Sequence, residues 1–141
     1  MLKFIISATV VALVSLLQTT NLAFVGGVKP DFSLVLVLFM SILYKDWLKR
    51  SILIFIAAFV LKFSPGLEIE NVIFIVSAIT GVLLLDWLPM SPILNLFIIT
   101  GAATVVFNLS AFEIQVFAEE FIYNLMVLSL CLVIYNLWRR K

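Results

Sequence analysis

The sequence predicts an all-α integral membrane protein, a bundle of six transmembrane helices. Three observations carry that prediction. Hydrophobic residues fill 65% of the 141 positions and charged residues only 12%, with a mean hydropathy of +1.27, a balance that belongs to membrane proteins. The nine basic and eight acidic residues fall in short clusters between apolar runs, whereas a soluble domain spreads charge over a solvated face. All four prolines and three of the five glycines lie between those runs, as helix punctuation does. The length suits a single domain, residues 1–141.

A span needs about 20 apolar residues to cross roughly 30 Å of hydrocarbon. The first stretch covers about 2–25 and ends at Gly26-Gly27-Val28-Lys29-Pro30. The second, about 32–48, opens on Pro30-Asp31: proline suits a first helical turn and a carboxylate suits the positive end of the helix dipole. The third, about 51–63, stops at Ser64-Pro65-Gly66, and the fourth, about 69–88, closes on Asp86-Trp87-Leu88-Pro89. Pro92 opens the fifth, about 92–112, and the sixth covers about 119–138 before Arg139-Arg140-Lys141. The second and third have strict apolar cores of only about 13 residues, roughly 20 Å as helix, which points to a tilted or partly re-entrant hairpin. Lys3 before an apolar run also fits a removable signal peptide. The run outlasts a signal peptide, and Ala8, Ala12, Ser15 and Thr19 make a small-residue stripe suited to packing, so a retained helix is expected.

Lys and Arg near helix ends are retained in the cytoplasm. With six spans and both termini cytoplasmic, Lys3, Lys45, Lys49, Arg50, Arg139, Arg140 and Lys141 lie inside, and only Lys29 and Lys62 lie outside. The five glutamates, Glu68, Glu70, Glu113, Glu119 and Glu120, then face outward, and Lys62 is expected to pair with the acidic loop or to snorkel. Trp47, Trp87 and Trp138 fall near predicted cytoplasmic helix ends, where indole is favoured. The expected location is a bacterial cytoplasmic (inner) membrane, multi-pass, in contact with its lipids.

The chain has no histidine and one cysteine, Cys131. That excludes metal sites built from His and Cys, an intrachain disulfide, and Ser/His or Cys/His nucleophilic catalysis. No basic patch suggests nucleic acid. No enzyme activity, cofactor or metal is expected, and Glu113, Glu119 and Glu120 read more simply as solvated glutamates than as a cation site.

Two places draw attention as partner or packing sites. Asp86 sits at a helix C-terminus, where a carboxylate is disfavoured, so it calls for a cation among Lys45, Lys49 and Arg50. An interfacial ion pair is the plain reading and an ion relay the sharper one. On the fifth helix Thr100, Thr104 and Asn108 recur at i, i+4 and i+8, with Gly101 beside them and Asn95 near the start. Polar groups in hydrocarbon must find partners, which gives helix packing or a small-ligand cavity. Ser77-xxx-Gly81 allows close backbone approach, and Gln18, Thr19, Thr20 and Asn21 read as interfacial polar residues.

At Lys29-Pro30-Asp31-Phe32 with the apolar run Ser33 to Tyr44, and at Asn124 in the last helix with the terminal Arg139-Arg140-Lys141, the chain resembles the rod-shape-determining MreD family. Size and helix order agree over nearly the full length. The third helix departs: the family carries a glycine-rich run with a phenylalanine and a terminal aspartate, whereas here Phe55 fits, Ala58 replaces a glycine and Lys62 stands where acid is expected. A second register, Gly81 to Asp86, needs a long insertion, and the first keeps the spacing from Pro30. The resemblance implies a non-enzymatic subunit of the bacterial cell-elongation machinery that binds the bitopic scaffold MreC. It implies a link between MreB, RodA and the penicillin-binding partner of RodA during lateral peptidoglycan synthesis. The implied fold is similar to the substrate-binding subunits of energy-coupling-factor transporters, which keeps a vitamin-type substrate-binding subunit as the alternative function.

Overall fold

The computed structural model of the chain describes residues 2–19, 31–61, 69–108 and 113–139, and among these every regular element is an α-helix. They are α1 (Leu2–Thr19), α2 (Phe32–Leu43), α3 (Trp47–Val60), α4 (Ile69–Trp87), α5 (Pro92–Asn108) and α6 (Ile114–Arg139). Two stretches, Leu2–Thr19 and Ile114–Leu137, are long and apolar enough to cross a membrane, and α2, α5 and most of α4 are shorter apolar helices.

The order matches expectation while two boundaries move. The second helix stops at Leu43 rather than near Leu48, and Trp47 to Arg50, expected as helix end and loop, form the first turn of α3. Asp46 causes the break: its side chain accepts the Leu48 N–H at 3.1 Å, so it caps a new helix. The Lys49 side chain lies 3.2 Å from the same carboxylate and helps hold it below the usual carboxylate range. The sixth helix begins at Ile114 instead of near Glu119. Glu113 starts it, its carbonyl accepting the Phe117 N–H at 2.9 Å. The first helix is described to Thr19 and the fifth to Asn108; Pro30 and Lys62 lie outside the described residues.

Consecutive helices run in alternating directions, which follows from who meets whom. Gln18 near the end of α1 bonds Asp31 and Ser33 at the start of α2, while Ser7 near its beginning meets Tyr44 beyond the end of α2. Arg50 in the first turn of α3 reaches Ser41 and Tyr44, and also Asp86 at the end of α4. Asn95 at the start of α5 bonds carbonyls of Leu85 and Leu88, and Asn108 at its end bonds Glu120 near the start of α6. The bundle therefore has a basic end, with Lys3, Lys45, Lys49 and Arg50, and an acidic end, with Asp31, Glu113, Glu119 and Glu120.

α2 is the axis. Among the described residues it packs against all five other helices, which follow one another around it as α1, α3, α4, α5 and α6, and α1 and α6 do not touch. Leu34, Val35, Val37 and Leu38 are wholly buried, with Leu36 and Phe39 nearly so. A helix that is apolar on every side is stable only when enclosed, and β-branched and leucine side chains at successive positions of α2 supply that surface. Its 12 residues are thus covered by protein. The buried stripe of α1 is Ser7, Val11 and Ser15; Ala8 and Ala12 are half-buried beside it and Thr19 is exposed. Gly81 of α4 faces the axis, where an added Cβ would come within 2.7 Å of Leu38 and 3.1 Å of Ile99.

Candidate functional site

At the acidic end the polar residues of four helices converge on the start of α2. The Gln18 side chain donates to Asp31 Oδ1 at 3.3 Å and accepts the Ser33 N–H at 2.8 Å. Across the axis, Asn124 of α6 accepts the Asp31 backbone N–H at 2.8 Å and donates to Thr104 Oγ1 at 2.9 Å. Thr104 in turn donates to the Thr100 carbonyl at 2.9 Å. Asn108 donates to the Thr104 carbonyl at 3.0 Å and to Glu120 Oε2 at 2.6 Å. Asn124 is 1% exposed and Thr104 fully buried, so these bonds form where water does not compete and an unmade one costs most.

The spacing of α5 produces this geometry. Residues four apart share a helix face, so Thr100, Thr104 and Asn108 stand in one row toward α6 and the axis, and all three are buried. Thr104 and Asn108 meet Asn124 and Glu120, an arrangement that serves helix packing. Asp31 sits at the N-cap of α2, yet its side chain makes no capping bond and turns to Gln18 instead. Asp31 keeps some open surface, but burial still dominates its carboxyl, pushing it up to about 7; the Glu120 charge adds to the rise and the Gln18 hydrogen bond opposes it.

The basic end has its own joint. Arg50 is 4% exposed and its guanidinium is spent on three partners. Nε donates to the Ser41 carbonyl at 3.0 Å and to the Tyr44 carbonyl, at the C-terminus of α2 where a cation is favoured. Both terminal nitrogens meet Asp86, Nη2 to Oδ1 at 3.1 Å. The partner of Asp86 is therefore Arg50, while Lys49 pairs with Asp46. Asn95 satisfies carbonyls at the end of α4, donating to Leu88 at 2.9 Å, and Tyr44 Oη donates to the Lys3 carbonyl at 3.0 Å.

Phe55 is 56% exposed on the outer face of α3 and joins neither cluster. Gln18, Arg50, Glu120 and Asn124 hold the clusters together, although the sequence marked Gln18 as interfacial and the glutamate as solvated. Asn124 was visible only through the family resemblance. Between α5 and α6 the outer surface carries two shallow apolar grooves that share Phe97 and Leu125. Among the described residues no group of His, Cys, Asp and Glu is placed to hold a metal ion. Chemically, both clusters fasten helix ends: the acidic one ties α1, α2, α5 and α6, the basic one α2, α3 and α4. No protein-family model, curated protein or solved structure matches the chain.

Proposed function

We propose that this chain is a non-enzymatic, six-span subunit of the bacterial inner membrane that works in the cell-elongation machinery, as its resemblance to the MreD family implies. Both termini are cytoplasmic and the acidic end faces outward. Its direct partner is a single-span scaffold of the MreC type, and through it the chain supports RodA, its penicillin-binding partner and MreB in lateral peptidoglycan synthesis. One observation carries the reading. Asp31 of the Lys29-Pro30-Asp31-Phe32 segment and Asn124 of the last helix, both part of the resemblance and 93 residues apart, meet in a 2.8 Å hydrogen bond. Two residues matched separately in sequence thus belong to one joint.

The bundle's polar groups favour this reading over a ligand-binding transporter subunit, since Thr104 and Asn108 are engaged by α6. Co-purification from native membranes tests it. Recovery with a single-span coiled-coil protein is the expected result, and Asn124→Leu, which unties the joint, reduces that recovery. Recovery with a pair of ATPase subunits and a bound vitamin overturns it.

A further inference from the structure

The helices that reach the outside of the bundle differ in how far they run between charges. From Arg50 to Val60, where α3 ends, the helix rises about 15 Å, and the sequence returns to charge at Lys62. From Glu70 to Asp86 along α4 the rise is about 24 Å, and from Glu120 to Arg139 along α6 it is about 28 Å. α3 and α6 lie on opposite sides of α2 and do not touch among the described residues. α2 is short as well, but protein covers it. The short apolar surface of α3 is open: Leu48, Ile52, Phe55 and Phe59 lie along its outer face, with Phe55 56% and Phe59 84% exposed.

The depth of this helix is fixed at one end. A long cation near a helix terminus can usually snorkel to reach the headgroups. Arg50 is held by the carbonyls of Ser41 and Tyr44 and by Asp86, and it is 4% exposed. The Asp86 side chain is 58% exposed, and a charge this open belongs in water or among headgroups. The first turn of α3 is thereby pinned at the basic-end interface. In an undistorted hydrocarbon layer of about 30 Å, Phe59, nine residues beyond Arg50, would lie near the midplane, with the α3 helix ending just past it.

We infer that the α3 face is a lipid-contacting surface fitted to a locally thinned bilayer, so that the protein thins the membrane on the α3 side and meets ordinary thickness on the α6 side. Its occupant is the acyl layer itself, short or compressed chains packed on Leu48, Ile52, Phe55 and Phe59. This rests on the membrane-spanning reading proposed above. A mismatch of this kind is relieved by thinning the lipid or by moving the helix, and the Arg50 to Asp86 joint opposes the second route.

Reconstitution of the full chain into phosphatidylcholine vesicles with monounsaturated chains of 14 to 22 carbons tests the inference. Flotation with the vesicles and resistance to alkaline extraction report insertion, and thermal unfolding reports fit. The expected unfolding midpoint is highest in the 14- or 16-carbon lipids and about 5 °C or more lower in the 22-carbon lipid. A midpoint highest at 18 carbons or beyond overturns the thinning. Failure to float overturns the membrane-spanning reading itself, so the two failures are distinguishable. A second measurement does not depend on lipid length: Phe59→Lys inserts and folds in 16-carbon vesicles, because thinning brings position 59 near the far interface, whereas Leu130→Lys on α6 loses insertion. Loss of insertion by Phe59→Lys, with wild-type insertion intact, places that residue at mid-membrane and overturns the inference.

Discussion

Arg50 is a buried cation whose three partners lie on two helices, and its removal and the removal of its carboxylate are unequal events. Arg50→Leu loses the bonds to the Ser41 and Tyr44 carbonyls and leaves Asp86 at a helix C-terminus without a counter-charge. Asp86→Asn leaves the guanidinium two carbonyls and an amide oxygen. We expect Arg50→Leu to cost about 2–4 kcal/mol and Asp86→Asn, which leaves the buried guanidinium without a counter-charge, about 1–2 kcal/mol, measured by denaturant titration in detergent micelles; a cost for Asp86→Asn at or above that of Arg50→Leu would show that the stranded cation outweighs the two lost carbonyl bonds. Asp31 gives a pH signature. Burial and the Glu120 charge raise its carboxyl from 3.8 to about 7 on folding, so the folded state binds this proton more tightly than the unfolded chain does. Its favourable contribution is complete below about pH 4 and disappears as pH rises through about 7. Stability measured from pH 4 to 8 should fall across that window, and Asp31→Asn should flatten this part of the profile; an unchanged slope in the variant assigns the effect elsewhere.

At the scale of elements, the two helical glycines make unequal demands on their neighbours. An added Cβ at Gly81 would lie 2.7 Å from Leu38, which is wholly buried on α2, with Ile99 close on the other side. At Gly101 the Cβ would meet only the Phe121 ring, at 2.8 Å, and this ring borders an open groove. The ring has room to turn, while Leu38 is closed in. Gly81→Ala should cost about 2–3 kcal/mol and Gly101→Ala about 1 kcal/mol or less, read as unfolding midpoints in micelles; the reverse order would mean that α2 yields more easily than α6. Proline and glycine placement made the helix order legible. The start of α3 was not, because Lys45 to Arg50 reads as a polar loop until Asp46 is seen accepting the Leu48 N–H.

For the whole molecule, alternating helix directions put the start of α1 and the end of α6 at the same, basic end. Reporters fused at Lys3 and after Arg139 should therefore label from the same side of intact cells or oriented vesicles, and labelling from opposite faces would refute the alternation. The same directions explain why Lys3, Lys45, Lys49 and Arg50 gather at one end, with Asp46 and Asp86 as carboxylate partners of Lys49 and Arg50 there: every even-numbered helix ends, and every odd-numbered helix begins, at the Arg50 end. The two clusters fasten opposite ends, so loss of either should loosen different helix pairs.

The sequence by itself determined the helical class, the number and order of helices, and the sorting of charge to two ends. These are written in local composition, where apolar runs and their proline, glycine and charged breaks are readable without knowing any contact. It also marked Asp86 as lacking a counter-charge and Thr104 and Asn108 as sharing one face. Only the tertiary structure decided that α2 is the axis, that Arg50 meets Asp86, and that Gln18, Asn124 and Glu120 complete the joint around Asp31. Each of those outcomes depends on residues distant in the chain meeting across the bundle. The apolar faces of all six helices look alike in sequence, so periodicity cannot say which of them protein covers. In a chain this uniformly hydrophobic, partners are selected by close packing and by the few polar groups that must be satisfied.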